Sequence, residues 1–165
     1  MKKVAVVMGS SSDMPIAKEA IQTLHEFDVP VTAHILSAHR TPDACAAFAR
    51  AAEQEGYGVL IALAGKAAHL AGTLASNAVL PVIGVPIRSS DLGGLDALLS
   101  TVQMPKGIPV ATVAIDGAAN AALLAVRILA LGDEALARKL ATYARTIAEK
   151  AAEANLALQK EFNES

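Results

Sequence analysis

Few of the residues that advertise a specialised protein are present in this chain. Among 165 residues there are one cysteine, no tryptophan, two tyrosines and three phenylalanines. A single thiol excludes an intramolecular disulfide framework and any multi-thiolate metal site. Cys45 stands in the apolar stretch Ala44 to Ala49 and reads as packing rather than as a nucleophile. An excess of one charge is missing too. The 14 basic and 16 acidic residues leave a formal net charge of −2, without the clustered positive surface that nucleic acid or an anionic membrane demands. No apolar run approaches the ~20 residues that span a bilayer; the best candidate, Ala118 to Leu131, is interrupted by Asn120 and Arg127. The basic start Met1-Lys2-Lys3 resembles a secretory n-region, but the apolar run behind it stops at Gly9, short of the ~7–15 residues of an h-region. A cytoplasmic protein is therefore expected. No histidines pair at helical spacing and no carboxylates cluster, so neither a metal nor a metal site is expected.

Core material, by contrast, is abundant: 53% of the residues are hydrophobic, many of them alanine. That suits one domain with closely packed helices, because 165 residues are too few for two comfortable cores. Val4 to Met8 is a continuous apolar run of the kind that fills a strand buried on both faces of a parallel sheet. Further strands are read at Val31 to Leu36, Gly58 to Ala64, Val82 to Val85 (closed by Pro86) and Ile108 to Ile115. Helical patterns lie between them. One opens at Pro15; another runs from Thr41-Pro42-Asp43 (cap, first-turn proline, first-turn acid) to about Glu55. Others cover Leu70 to Ala78, Gly93 to Val102 and Ala118 to Leu131. Strands alternating with helices predict an α/β fold, a three-layer parallel sheet of flavodoxin-like or Rossmann-like kind. From Asp133 onward Leu136, Leu140, Tyr143, Ile147, Ala151, Ala154, Leu158 and Phe162 recur in steps of three and four. They make one stripe along a long C-terminal helix. Residues 1–132 are thus read as the catalytic α/β unit and 133–165 as a helix of the same domain that packs on a neighbouring subunit.

Ligands of open parallel sheets bind outside the carboxyl ends of the strands. Three such loops carry unusual polar residues. Gly9-Ser10-Ser11-Ser12-Asp13 leads into a helix N-terminus, where N–H groups and hydroxyls suit a phosphate and Asp13 suits ribose hydroxyls. It lacks the second glycine of the dinucleotide fingerprint, and Gly65-Lys66-Ala67 lacks the hydroxyl of a nucleotide P-loop. Ser37-Ala38-His39-Arg40 sets a side chain able to exchange a proton beside one that forks onto phosphate or carboxylate. Gly65 to Leu70 supplies Lys66 and His69. His25 and His34 read as structural.

Taken together, Val7-Met8-Gly9-Ser10-Ser11-Ser12-Asp13, Ser37-Ala38-His39-Arg40-Thr41-Pro42-Asp43 and Ala67-Ala68-His69-Leu70 resemble the N5-carboxyaminoimidazole ribonucleotide mutase family of purine biosynthesis, the catalytic-subunit type of phosphoribosylaminoimidazole carboxylase. So do Pro81-Val82-Ile83-Gly84-Val85-Pro86, Val102-Gln103-Met104-Pro105 and Ala119-Asn120-Ala121-Ala122-Leu123-Leu124-Ala125. The resemblance runs from about Val4 to Leu131. It implies a homo-octamer with sites between subunits, no cofactor, and transfer of a carboxylate from the exocyclic nitrogen to ring carbon C4. It further implies that His39 shuttles the proton. Ser10, Ser12, Ser37 and Arg40 would hold the phosphate, Asp13 the ribose, and His69 would border the carboxylate.

The third loop departs from the family pattern G-A-G-G-A-A-H-L-P-G at Leu63, Lys66 and Ala71. Lys66 is expected to turn inward, toward the substrate's carboxylate, the alternative being an ammonium in solvent. The competing readings are an aminoimidazole ribonucleotide carboxylase that takes CO2 directly, which Lys66 favours, and a non-catalytic phosphoribosyl-ligand binding paralogue, which His39 disfavours.

Overall fold

A computed structural model of the chain describes residues 1–163. Its strands are β1 (Lys3–Met8), β2 (Val31–Ile35), β3 (Tyr57–Gly65), β4 (Val82–Ile87) and β5 (Ala111–Thr112). They form one parallel sheet in the order β2-β1-β3-β4-β5. The helices are α1 (Met14–Glu26), α2 (Pro42–Ala51), α3 (Leu70–Asn77), α4 (Leu95–Val102), α5 (Ala118–Ala130) and α6 (Glu134–Asn163). This is the flavodoxin-like order, with its switch point between β1 and β3, where consecutive connections leave in opposite directions.

The central strand shows why the order follows from the residues. Val4 to Met8 are all buried, and their side chains alternate between faces. Val4, Val6 and Met8 meet α1 and α5, whereas Ala5 and Val7 meet α2 and α3. The abundance of alanine has a geometric use. Ala17 and Ala20 of α1 and Ala118, Ala121, Ala122 and Ala125 of α5 are all fully buried in one cluster. Small faces of this kind let two helices lie close together on the sheet. On the other face a Cβ added to Gly84 would come within 2.4 Å of Thr101 Cγ2, so glycine is what allows α4 to approach β4.

α2 ends at Ala51 rather than near Glu55, and three further features differ from expectation for a physical reason. β5 is two residues long rather than the whole of Ile108 to Ile115. It is an edge strand and Pro109 has no N–H to donate, although Val113 and Asp116 still donate to the carbonyls of Gly84 and Pro86. Pro86 lies within β4 rather than closing it. Its carbonyl faces the β5 side, where regular pairing has already ended, so its missing N–H costs no ladder bond. Thr41 is the residue before α2, but its hydroxyl makes no cap bond; it is tied to Ser37 instead.

α6 is a single 30-residue helix. Asp133 opens it by accepting from Leu136 N–H. Its apolar stripe divides in two. Leu136 is fully buried, Leu140 and Tyr143 pack on the domain's own core, and the Tyr143 ring sits edge-on to Phe27 with centroids 5.3 Å apart. Lys139 pairs with Asp28 beside them. Farther along, Ile147, Leu158 and Phe162 are exposed. No helix among the described residues is long and apolar enough to cross a membrane.

Candidate active site

A cavity of about 600 Å³ opens at the carboxyl ends of the strands, on the switch point. It is lined by the loops after β1, β2, β3 and β4, and every site residue expected from the sequence borders it: Ser10, Ser12, Asp13, Ser37, His39, Arg40 and His69.

The β1 loop is built by its own hydrogen bonds. Gly9 N–H donates to Leu63 O, anchoring the turn to β3. Ser10 and Asp13 form a reciprocal capping box over a 3-10 turn at Ser11–Asp13: Ser12 N–H donates to Ser10 Oγ at 3.3 Å, and Ser10 N–H donates to Asp13 Oδ2 at 3.1 Å. Asp13 is 7% exposed. Its burial raises the carboxyl above its ordinary pKa, opposed by the bonds from Ser10 and Ser12 and by the Arg40 charge. One of its oxygens braces the loop and the other accepts from Ser12 Oγ at 3.3 Å, so a ribose hydroxyl would share an occupied carboxylate. The serines differ accordingly. Ser10 Oγ accepts from Ser12 N–H, whereas Ser12 Oγ donates to Asp13.

The β2 loop closes on itself between Ser37 and Thr41. Arg40 donates its backbone N–H to Ser37 Oγ at 3.1 Å and its Nε to the same oxygen at 3.3 Å. One terminal nitrogen of its guanidinium reaches across to Gly9 O at 2.7 Å. Arg40 thereby joins the two loops and fixes a cation beside Ser37 and Gly9, a geometry suited to an anion.

His39 and His69 come from different loops and meet. His39 Nε2 lies 2.8 Å from His69 Nδ1, with the rings nearly perpendicular at 80°. Since one nitrogen must donate and the other accept, each imidazole dictates the other's tautomer. Their strands are brought close by β1, with which both β2 and β3 pair.

Lys66 has φ +55, a left-handed backbone that glycine adopts freely and an L side chain only under strain. It lines the cavity, but its ammonium does not turn inward as expected: it donates to Asp91 Oδ2 at 2.8 Å in an exposed ion pair, the two side chains being 68% and 59% exposed. That bond holds Lys66 above, and Asp91 below, their ordinary pKa values.

The loop after β4 was not anticipated. Arg88, Ser89 and Ser90 also line the cavity. Asp116 accepts from the backbone N–H of Arg88 at 2.8 Å and from its Nε at 3.2 Å, which orients the guanidinium. Ser89 Oγ donates to the Asp96 carboxylate at 2.9 Å, tying the loop to the first turn of α4. The strand-end rule that singled out the other three loops applies equally to Arg88-Ser89-Ser90-Asp91 after β4, and would have found them.

The remaining titratable groups lie elsewhere. His25 is exposed on α1. His34 Nε2 lies 2.8 Å from Thr32 Oγ1 and 3.3 Å from Tyr57 Oη, and its ring contacts Phe48. Burial pushes Cys45 above its ordinary pKa, with a partial offset from Thr41, which suits an inert thiol. Among the described residues no group of three His, Cys, Asp or Glu stands together as a metal site.

Comparison with known proteins gives this geometry a context. The family model described as AIR carboxylase matches residues 3–150. The N5-carboxyaminoimidazole ribonucleotide mutase of Pyrococcus horikoshii is 56% identical over 150 residues, covering 91% of this chain and 85% of that protein. The protein of the same name from Mycobacterium tuberculosis is 48% identical, covering 96% and 91%. A crystal structure of Treponema denticola PurE superimposes with a TM-score of 0.85 at 32% identity, covering 94% of this chain and 98% of that one. The match spans the sheet, all four cavity loops and the first half of α6, and the chain belongs to the AIR carboxylase family.

Proposed function

We propose that this chain moves the carboxyl group of N5-carboxyaminoimidazole ribonucleotide from the exocyclic nitrogen to ring carbon C4, as an isomerase of purine biosynthesis. The observation that carries the reading is the 2.8 Å His39–His69 pair, set in the cavity that Ser10, Ser37 and Arg40 also line. The substrate class carries a phosphate and a migrating carboxylate, and the cavity is lined by hydroxyls and a guanidinium as well as by the two imidazoles.

In this reading Ser10, Ser12, Ser37 and Arg40 take the phosphate and Asp13 the ribose, with the Ser12 hydroxyl also donating to Asp13. The chemistry needs one proton in and one out. When the N–CO2 bond breaks, its electron pair stays on nitrogen, which takes a proton. C4 then attacks the CO2 and releases its own proton. A single imidazole can serve both steps, returning to its initial state. We assign that role to His39, with His69 as the neighbour that fixes its tautomer and borders the carboxylate. No cofactor enters this scheme.

The reading carries with it a cytoplasmic enzyme of one domain, residues 1–132 with the helix 133–165 attached, that assembles as a homo-oligomer, with an octamer implied by the family resemblance. Exposed Leu92, Leu95, Leu99 and Val102 on and beside α4, together with the outer stripe of α6, support such assembly, since contiguous apolar surface of this kind favours contacts between copies.

The deciding experiment offers the enzyme either N5-carboxyaminoimidazole ribonucleotide or aminoimidazole ribonucleotide with bicarbonate. Rapid conversion of the first supports the mutase. Turnover of the second alone would replace it with the direct carboxylase, and binding without either turnover would leave a phosphoribosyl-ligand binding protein.

A further inference from the structure

Between Ala64 and Ala68 every residue except Lys66 is alanine or glycine, and the one long side chain stands on left-handed backbone. Stability does not account for it, because exposed ion pairs contribute little. Its place in the fold does. Lys66 belongs to the loop that also carries His69, and Asp91 to the loop after β4. Their 2.8 Å bond therefore ties two walls of the cavity together. Both Asp91 oxygens are engaged, Oδ2 by Lys66 and Oδ1 by the Ser90 hydroxyl at 3.1 Å, so the acceptor is itself positioned.

We propose that Asp91 is a specificity-determining positioning residue: it holds the Lys66 ammonium at the cavity rim and so keeps that charge off the substrate's carboxylate. This rests on the mutase reading above. The carboxylate must leave nitrogen as neutral CO2. A cation bound to it would stabilise the bound substrate more than the transition state, lowering KM and kcat together. Asp91 supplies the protein's own carboxylate as the competing partner.

The test uses the full-length enzyme and the variants Asp91→Asn, Asp91→Glu, Lys66→Gly and Asp91→Asn with Lys66→Gly. Asp91→Asn releases the ammonium while keeping the size of the side chain. Its KM for the carboxylated substrate and its kcat should both fall about two- to fivefold, the span of an exposed ion-pair contribution. Asp91→Glu should recover both values in part. In the Lys66→Gly background Asp91→Asn should change neither. Calorimetry with the C4-carboxylated product and with uncarboxylated aminoimidazole ribonucleotide supplies a readout independent of turnover. Asp91→Asn should tighten only the carboxylated ligand, and this arm judges Asp91 even if the wild-type enzyme proves not to be a mutase. The proposal is overturned if Asp91→Asn leaves the carboxylated ligand's affinity unchanged, or alters it equally with and without Lys66.

Discussion

Replacing His39 by asparagine, and His69 by asparagine separately, separates the proton shuttle from its support. Asparagine keeps a polar side chain of similar reach but cannot exchange a proton near neutrality. His39→Asn should therefore lose about 10²–10⁴-fold in kcat, the usual contribution of a positioned acid/base, with substrate affinity close to that of the wild type. The 2.8 Å bond sets a different expectation for His69. If His69 only orients His39, its removal costs one hydrogen bond, about 0.5–1.5 kcal/mol, or roughly 2–13-fold in rate at 1.36 kcal/mol per factor of ten. The two changes should also be non-additive, because His69→Asn has little left to disturb once His39 is gone. The assay is steady-state turnover of N5-carboxyaminoimidazole ribonucleotide by the two single variants and the double variant, with circular dichroism as a check on folding. A His39→Asn enzyme within tenfold of wild type would refute the assignment. A larger loss for His69→Asn than for His39→Asn would exchange their roles.

Arg40→Ala should weaken phosphorylated ligands by about 10–100-fold, the scale of a charge-assisted hydrogen bond at 1.5–3 kcal/mol, and affect the dephosphorylated nucleoside much less; calorimetry showing equal losses would remove Arg40 from phosphate recognition. Truncation after Thr146 keeps Leu136, Leu140 and Tyr143 on the core and should yield a folded chain of reduced assembly size in sedimentation, whereas truncation after Asp133 should also lower the melting temperature; unchanged mass for the shorter helix would clear its outer stripe of a role in assembly. His34 is held below its ordinary pKa of 6.5 chiefly by burial. Below that pH the unfolded chain binds a proton that the folded one resists, so this contribution is present above 6.5 and is lost as pH falls through the lowered folded pKa. Between pH 7 and 5 the melting temperature of His34→Gln should accordingly drop less than that of the wild type, and parallel curves would refute it.

Much of the architecture was legible because local signals agreed with one another. The buried run Val4 to Met8, the proline-led helix starts and the alternation of strands with helices all report on short stretches of chain, and they found the parallel sheet while leaving its order open between the flavodoxin-like and Rossmann-like kinds. The polar loops were legible because the strand-end rule confines ligands to a few places; Ser10, Ser37, His39, Arg40 and His69 all border the one cavity there. The edge strand was overestimated, since its apolar residues look like those of a central strand and only its position in the sheet shows how little of it can pair.

What the sequence indicated by itself was therefore which polar side chains fall at three of the strand ends. Only the tertiary structure decided who meets whom. His39 and His69 are 30 residues apart, Lys66 and Asp91 25, and Arg88 and Asp116 28. Each pair is created by parallel strands delivering separate loops to the same edge. The division of α6 into a docked half and an exposed half has the same origin. Leu136 and Ile147 carry the same periodic signal, and only the extent of the core beneath them makes one interior and leaves the other in solvent. Periodicity reports the face a residue occupies, whereas the length of surface available to cover that face is a property of the packed domain.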